Sequence, residues 1–366
     1  MNITINREDL LDPLQHIIGA VERKQTKAIL GHVLIKTEGS KMTLKSTDLE
    51  IELVARLDIE TDSELATTLP ARKLLDICKA LPESSSINFR IDESSVVLTS
   101  GRSRFQLASL PANDFPGLDD IEFYTEFEVP QKILKLLIDK TAFAMAQQDV
   151  RYYLNGMLLE ISAEGIRLVA TDGHRLALSE NKQSVSINNE KQLIIPRKGV
   201  LELSRLLSNS DDNARVFLSQ NHIRVEADNL VFTSKLIDGK FPDYNRVIPI
   251  DGNKILTVER EALKQCLHRI SILSNEKYRG ILLNLDGETL TIQANNPDQE
   301  EAQEEMTVEY GEEKINIGFN VTYLLDVLTV LDSNKVKIRL KDANSSCIIT
   351  STDTDRFQYV VMPMRL

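Results

Sequence analysis

The side chains best suited to proton transfer stand in one short run, Thr171-Asp172-Gly173-His174-Arg175. A histidine two residues from a carboxylate suits general acid–base catalysis, because imidazole exchanges a proton near neutral pH. A related run, Thr47-Asp48-Leu49-Glu50, occurs 124 residues earlier and has no histidine. The shared Thr-Asp pair therefore favours a turn in which the aspartate bonds nearby backbone amides, over a catalytic role for His174.

A second concentration of reactive groups is acidic, and three interpretations of it are open. Hard divalent cations take carboxylate ligands, so the cluster suits a metal site. A solvated acidic surface is the favoured alternative, and a docking strip for a basic surface is the third. The acidic residues are Asp298, Glu300, Glu301, Glu304 and Glu305, and the basic residues that suit such docking are Lys73, Arg102 and Arg104.

Several motifs that carry enzyme chemistry are missing from the 366 residues. The chain has no phosphate loop of the G-x-x-x-x-G-K type, no G-x-G-x-x-G, no G-x-S-x-G and no H-E-x-x-H. We therefore expect no catalytic activity, no cofactor and no metal.

Composition predicts a globular cytoplasmic protein of two or three domains. Hydrophobic residues make up 42% and charged residues 27%, and no apolar run approaches the roughly 18 residues of a spanning helix. The three cysteines are odd in number and far apart, which is typical of reduced thiols. The net charge of −12 disfavours nucleic-acid binding unless the 43 basic residues are concentrated on one surface.

Internal repetition is the strongest signal in the sequence, and it predicts three copies of a unit of roughly 125 residues. Four kinds of landmark recur in the same order at nearly constant spacing. They are Gly31, Gly156 and Gly280 before apolar runs; Thr47-Asp48, Thr171-Asp172 and Ala294-Asn295; Leu74-Leu75-Asp76, Val200-Leu201-Glu202 and Leu324-Leu325-Asp326; and Phe105, Phe232 and Phe357.

Each copy has the pattern of an α+β domain, a sheet with two helices on one face. Apolar residues at helical spacing open the first and second copies, and a second helix is expected near Pro70 and near Pro196. Alternating strands such as 33–36, 42–45 and 95–99 fill the rest. Segments rich in Pro, Asp and Gly separate the copies, which gives predicted domains 1–125, 126–247 and 248–366.

Basic residues recur on the predicted helices and adjacent loops of all three copies. This recurrence indicates a continuous basic lining, although each residue alone is typical of a solvated face. They are Arg23, Lys24, Lys27, Arg72, Lys73, Lys79, Arg197, Lys198, Arg205, Arg260, Lys264 and Arg269.

Six specific runs stand out along the chain: Gln148-Asp-Val-Arg-Tyr-Tyr-Leu-Asn-Gly-Met, Ala170-Thr-Asp-Gly-His-Arg-Leu-Ala, Phe232-Thr-Ser-Lys-Leu, Ser274-Asn-Glu-Lys, Ala294-Asn-Asn-Pro and Tyr359-Val-Val-Met-Pro-Met-Arg-Leu. In these runs, and over its whole length, the chain resembles the bacterial sliding clamps, the beta subunits of DNA polymerase III. This resemblance implies a clamp fold, a head-to-tail homodimeric ring with helices lining the hole and sheets outside, and a non-catalytic processivity subunit. The implied partners are double-stranded DNA, held without sequence preference, and the polymerase III alpha subunit, the clamp loader, other polymerases and repair proteins, which dock through short linear motifs.

A size estimate agrees with six domains. A domain of about 122 residues is roughly 35 Å across, so six in a ring leave a hole about one domain wide, whereas three leave only about 5 Å. One chain cannot encircle a duplex, and two can.

The resemblance also implies roles for particular residues. DNA contact is implied for Lys24, Arg72, Gln148, Tyr152, Tyr153 and Lys198. The dimer seam places Lys73, Arg102, Arg104 and Phe105 opposite Ile272, Leu273, Glu300, Glu301 and Glu304. The partner-peptide pocket corresponds to Leu154, Thr171, Gly173, His174, Arg175, Leu176, Pro242, Arg246, Val247, Tyr278, Asn320, Tyr323, Ser346, Val360, Met362, Pro363, Met364 and Arg365.

Two positions depart from the family pattern. Related clamps can carry arginine at position 24 and phenylalanine at position 278, where this chain has Lys24 and Tyr278. Two alternatives to the clamp remain open: a scaffold that binds peptides and never encircles DNA, and an enzyme in which Asp172 and His174 are catalytic.

Overall fold

A computed structural model of the protein describes residues 2–22, 27–59, 64–92, 94–118, 121–187, 189–249 and 251–365. Within these ranges the chain forms six α-helices and 24 β-strands. Each third of the chain contributes two of these helices and eight of these strands, so the predicted threefold repeat of an α+β domain is confirmed.

The elements follow the same order in each repeat. The first contains β1 (Asn2–Asn6), α1 (Arg7–Ile17), β2 (His32–Glu38), β3 (Lys41–Thr47), β4 (Ile51–Asp58), β5 (Leu65–Pro70), α2 (Ala71–Ala80), β6 (Ser86–Ile91), β7 (Ser95–Ser100) and β8 (Ser103–Ala108). The second contains β9 (Thr125–Pro130), α3 (Gln131–Asp139), β10 (Gly156–Ser162), β11 (Gly165–Thr171), β12 (Arg175–Asn181), β13 (Lys191–Pro196), α4 (Arg197–Leu206), β14 (Asn213–Leu218), β15 (His222–Ala227) and β16 (Leu230–Lys235).

The third repeat completes the series, and short 3-10 helices lie in the connections. Its elements are β17 (Lys254–Glu259), α5 (Arg260–Ser271), β18 (Gly280–Asp286), β19 (Thr289–Asn295), β20 (Glu301–Thr307), β21 (Ile315–Asn320), α6 (Val321–Val330), β22 (Lys335–Leu340), β23 (Cys347–Ser351) and β24 (Phe357–Val361). The 3-10 helices are Ile18–Ala20, Ala28–Gly31, Ala112–Asp114, Ala142–Ala144, Tyr152–Asn155 and Tyr244–Arg246.

The second helix of each repeat shows how sequence spacing sets local structure. In α2 the buried residues are Ala71, Leu74, Leu75 and Cys78, which is the spacing of one helical face. Helices α2 and α4 begin directly after Pro70 and Pro196, as predicted, because proline cannot donate a ladder bond and already has a helix-compatible φ. The apolar face therefore packs inward, and the polar face is left to solvent or to a ligand.

The eight strands of each repeat lie in two four-stranded sheets rather than in the one sheet expected. In the first repeat the orders are β1-β6-β7-β8 and β5-β2-β3-β4. The other repeats use the same orders, and antiparallel pairing joins β4 to β16 and β12 to β24. Two eight-stranded sheets result, and β8 and β20 are left at sheet edges.

Contacts between Cα atoms divide the chain into two compact units that do not coincide with the repeats. The first unit is Met1–Lys135 with Lys198–Leu236, and the second is Leu136–Arg197 with Ile237–Leu366. Each unit contains one eight-stranded and one four-stranded sheet. Helix α1 packs on α2 in the first unit, and α5 packs on α6 in the second.

Strand register corrects two of the landmarks of the third repeat. Phe232 pairs with Leu53 in one junction and Tyr359 pairs with Ala177 in the other, and Leu53 and Ala177 are themselves equivalent. Tyr359, and not Phe357, is therefore the counterpart of Phe232; both are fully buried. The sequence comparison missed this because a longer connection precedes β24 than precedes β16.

The third Thr-Asp counterpart also shifts by one residue. Leu158 pairs with Val169, and Leu282 pairs with Gln293, which fixes a constant step of 124 between these strands. The counterparts of Thr171 and Asp172 are therefore Asn295 and Asn296, instead of the expected Ala294 and Asn295.

Candidate functional sites: an apolar groove, a basic helix start and two edge strands

The Thr-Asp corner is a turn built the same way twice. Asp48 Oδ1 accepts from the amides of Glu50 at 2.8 Å and Ile51 at 2.7 Å. Asp172 Oδ1 accepts from the amides two and three residues on, at 2.9 and 3.1 Å. The turn interpretation is confirmed, because both aspartates cap their own backbone.

In the third repeat an asparagine performs this role. Asn296 Oδ1 accepts from the amides of Asp298 at 3.1 Å and Glu300 at 3.0 Å. An amide oxygen therefore also bonds nearby backbone amides at this corner without a negative charge, in a longer turn that uses the amides two and four residues on instead of two and three.

Arg175 organises the side chains that surround the second turn. Its Nε donates to Asp172 Oδ2 at 3.0 Å, and its Nη1 pairs with the carboxylate of Asp326. Its guanidinium lies 5.2 Å from the ring centre of Phe143 and 4.6 Å from that of Tyr323. Two ion pairs and two aromatic faces fix this guanidinium, which lines an apolar groove.

The apolar groove is a cavity of about 160 Å³ in the second unit. Nine residues of the predicted pocket line it: Leu154, Thr171, Gly173, Arg175, Leu176, Pro242, Val247, Val360 and Met362. They come from the second repeat, from the connection that follows it and from the C-terminal end of the chain. Four lining residues were not predicted for this pocket: Arg151, Tyr153, Asp243 and Tyr244.

Tyr244 is the most informative of these additions. It is 5% exposed; its hydroxyl donates to Glu160 Oε2 at 2.5 Å and accepts from Arg167 Nη1 at 3.0 Å. Burial and the bond to the Glu160 carboxylate raise the pKa of Tyr244 to about 12. The tyrosine remains neutral at physiological pH and anchors one wall of the groove to strands β10 and β11.

The remaining predicted pocket residues lie outside the lining of the groove. The His174 ring stacks on Tyr323, with ring centres 6.5 Å apart. The amide of Met362 donates to the His174 carbonyl at 2.9 Å, and that of Met364 donates to the Gly318 carbonyl at 2.8 Å, which tie the C-terminal segment to the second and third repeats. The others are Arg246, which pairs with Asp243; Tyr278 and Asn320, joined by a bond of 3.3 Å; and Ser346, Pro363 and Arg365.

The residues predicted to contact DNA fall into three groups. Arg72 and Lys198 are the second residues of α2 and α4, and both are exposed. Gln148 and Tyr152 lie on the segment before β10, where Tyr152 is 56% exposed, while the neighbouring Tyr153 lines the groove. Lys24 lies outside the described residues.

The predicted seam residues lie on or beside the two edge strands. Arg102 and Arg104 are exposed at the start of β8, beside the half-buried Phe105, and Lys73 is exposed on α2. On the other unit Ile272 is 72% exposed just after α5, Leu273 follows it, and Glu300 and Glu301 stand at the start of β20.

Glu304 has a partner within its own chain. It accepts from Arg269 Nε at 2.9 Å, and this bond holds the pKa of the Glu304 carboxyl below its ordinary value. The acidic cluster lies just before and within strand β20, and the side chains of that strand alternate between its two faces. Among the described residues no group of three or more His, Cys, Asp or Glu side chains is arranged to hold a metal ion.

The helices in the described part of the chain are all short, the longest having 12 residues. No helix there is long and apolar enough to cross a bilayer.

The protein belongs to the class of chains built from three repeated α+β domains with an apolar surface groove. Three family descriptions match these repeats. Residues 1–119 match the N-terminal domain of the DNA polymerase III beta subunit, residues 128–243 match its central domain, and residues 245–365 match its C-terminal domain.

Full-length relatives agree with these matches. The beta sliding clamp of Pseudomonas aeruginosa is 52% identical and that of Escherichia coli K12 is 47% identical, each over 100% of both chains. A crystal structure of the P. aeruginosa DNA polymerase III subunit beta superposes with a TM-score of 0.96 at 51% identity, and a Bartonella birtlesii sliding clamp bound to griselimycin superposes with 0.97 at 38% identity; both comparisons cover 100% of both chains. The chain belongs to the DNA polymerase III beta subunit family, and its function is that of a DNA sliding clamp that makes a polymerase processive.

Proposed function

We propose that two copies of this chain close head to tail into a ring around duplex DNA. The observation that carries the proposal is the pattern of strand junctions. The fourth strand of one repeat pairs with the eighth strand of the next, as β4 with β16 and β12 with β24. By the same rule, β20 should pair with β8. Both are edge strands of one chain, so in a head-to-tail dimer β20 of each copy pairs with β8 of the other.

The existing junctions supply the register of the proposed seam. Leu53 faces Phe232, and Ala177 faces Tyr359. Ala302 is equivalent to Ala177 because it pairs with Ala294 as Ala177 pairs with Ala170. Phe105 of one copy should therefore face Ala302 of the other.

Charge and apolar surface support the same seam. Arg102 and Arg104 flank β8, whereas Glu300 and Glu301 begin β20, so the two edges are complementary. The exposed Ile272 supplies apolar area next to them. Three domains from each copy, with proposed limits 1–125, 126–247 and 248–366, complete a ring of six.

DNA contact is proposed for the basic starts of the second helices and for the segment before β10. Arg72 and Lys198 occupy the same position in equivalent helices, which suits repeated, sequence-independent phosphate contacts. Gln148, Tyr152 and Tyr153 are proposed with them, as is Lys24. A net charge of −12 fits this arrangement, since the outer surface repels DNA and only the lining attracts it.

The apolar groove is proposed to bind short linear motifs of the polymerase alpha subunit, the clamp loader and repair proteins. Its walls combine apolar side chains with a fixed guanidinium and the adaptable Met362, a combination suited to an apolar peptide segment with a polar anchor. The side chains beyond the groove, from His174 through Tyr278 to Arg365, would bind the flanking residues of the motif. We propose that the protein acts in the cytoplasm and catalyses no reaction itself.

The experiment that tests encirclement compares circular and linear DNA. The protein is loaded by a clamp loader and ATP onto nicked circles, half of the sample is linearised, and retention is measured in high salt. Encirclement predicts retention on circles and loss from linear ends. Equal salt-sensitive loss from both forms, with loading verified at low salt, would favour the scaffold that binds peptides without encircling DNA.

A further inference from the structure

We infer that Asp48 neutralises Lys198 in the free protein and thereby limits how strongly this helix start attracts a DNA phosphate. The inference deepens the proposed function and rests on the proposed phosphate contact of Lys198. It assigns to a residue of the turn a role that acts on DNA binding through Lys198.

The geometry gives the two oxygens of Asp48 separate tasks. Oδ1 accepts from two backbone amides of the turn, and Oδ2 pairs with the ammonium group of Lys198. The Asp48 side chain is 3% exposed, whereas that of Lys198 is 43% exposed. The carboxylate therefore stays in place while the lysine remains within reach of an incoming ligand.

Comparison of the repeats shows that the pairing is not required by the turn. In the second repeat the matching oxygen, Asp172 Oδ2, accepts from Arg175 of its own turn. The residue equivalent to Arg175 in the first repeat is the apolar Ile51, which cannot pair with a carboxylate. Oδ2 of Asp48 instead pairs with Lys198 of the second repeat. In the third repeat Asn296 holds the turn with no carboxylate.

The equivalent basic residue of the first repeat differs in the same respect. Arg72 Nη2 donates to the carbonyl of Val21 at 3.1 Å, an acceptor that carries no net charge. A phosphate that approaches Lys198 must compete with a fixed carboxylate, and one that approaches Arg72 competes with a carbonyl. Weak contacts suit a ring that has to slide.

The test is a double-mutant cycle on the full-length protein with a fluorescent linear duplex, titrated with NaCl. Asp48→Asn keeps an Oδ1 acceptor for the turn, as Asn296 does, and removes the charge. One additional phosphate contact steepens the dependence of log K on log salt by at most about 0.9, which tightens binding by at most about eightfold at 0.1 M. We expect Asp48→Asn to tighten binding within that limit, and to have no effect in a Lys198→Gln background.

Three outcomes would overturn the inference. Unchanged affinity of Asp48→Asn, with Lys198→Gln weakened, would mean that the carboxylate does not compete with DNA. Equal tightening with and without Lys198 would mean a general charge effect. No effect of Lys198→Gln on affinity would mean that Lys198 does not contact a phosphate. Encirclement is tested separately by retention on circular DNA. Asp48→Ser, whose hydroxyl also accepts turn bonds, is a second neutral variant should the asparagine variant fold poorly.

Discussion

Ile272 gives the sharpest quantitative test of the proposed ring. Its side chain, directly after α5, is 72% exposed in the single chain. Burying such a large apolar side chain against a partner lowers the free energy. Ile272→Ala removes three carbons at about 0.8 kcal/mol each; scaled to the exposed fraction, this is about 1.7 kcal/mol per seam. A ring has two seams, so the dimer should weaken by about 3.5 kcal/mol, roughly 300-fold in its dissociation constant.

The assay is a dilution series of the purified protein by sedimentation velocity or mass photometry, with thermal unfolding measured in parallel. Ile272→Ala should shift the monomer–dimer midpoint and leave unfolding of the separated chain unchanged. Leu267→Ala is the matched control, because Leu267 is fully buried on α5, the helix that Ile272 follows, and its truncation should lower the free energy of unfolding by about 2–5 kcal/mol. An unchanged dissociation constant for Ile272→Ala would refute the seam.

Three further predictions concern the groove and its supporting turn. Met362→Ala combined with Met364→Ala should weaken polymerase stimulation and loading by the clamp loader together, because both partners are proposed to use this groove, while the monomer–dimer midpoint stays unchanged; normal stimulation would contradict the groove assignment. Gly173→Ala should lower the free energy of unfolding by about 1–3 kcal/mol, since φ is +90° and a Cβ would stand 2.8 Å from the Arg151 guanidinium. Gly39→Ala, with φ of +56° and nothing within 4 Å, should cost less in the same denaturant titration. Bonds from the side chain and backbone of Arg151 lower the pKa of Asp149 from 3.8 to about 2. The ionised carboxylate therefore stabilises the fold fully above pH 3.8, and this stabilisation is lost as the pH falls through 2. Asp149→Asn should make the free energy of unfolding depend less on pH over that interval, and an unchanged pH dependence would contradict the assignment.

Spacing along the chain was enough to predict the local parts of this protein. The start of α2 after Pro70, the start of α4 after Pro196 and the Thr-Asp turns follow from residue types a few positions apart, and the recurrence of such local patterns predicts the threefold repeat. Helical periodicity, proline geometry and side-chain bonds to nearby amides act over one or two turns of chain, so each leaves a mark in the sequence.

Only the tertiary structure decided which distant segments meet. No local pattern distinguishes β4, which pairs with β16, from β20, which stands at an edge, and no local spacing shows that Tyr359 replaces Phe357 in the repeat. In the sequence Tyr244 is a single aromatic residue in a polar connection. In the fold it bonds to Glu160 and Arg167 and lines the groove. These contacts join residues some 80 to 180 positions apart, and their partners are set by backbone pairing and burial across the whole fold.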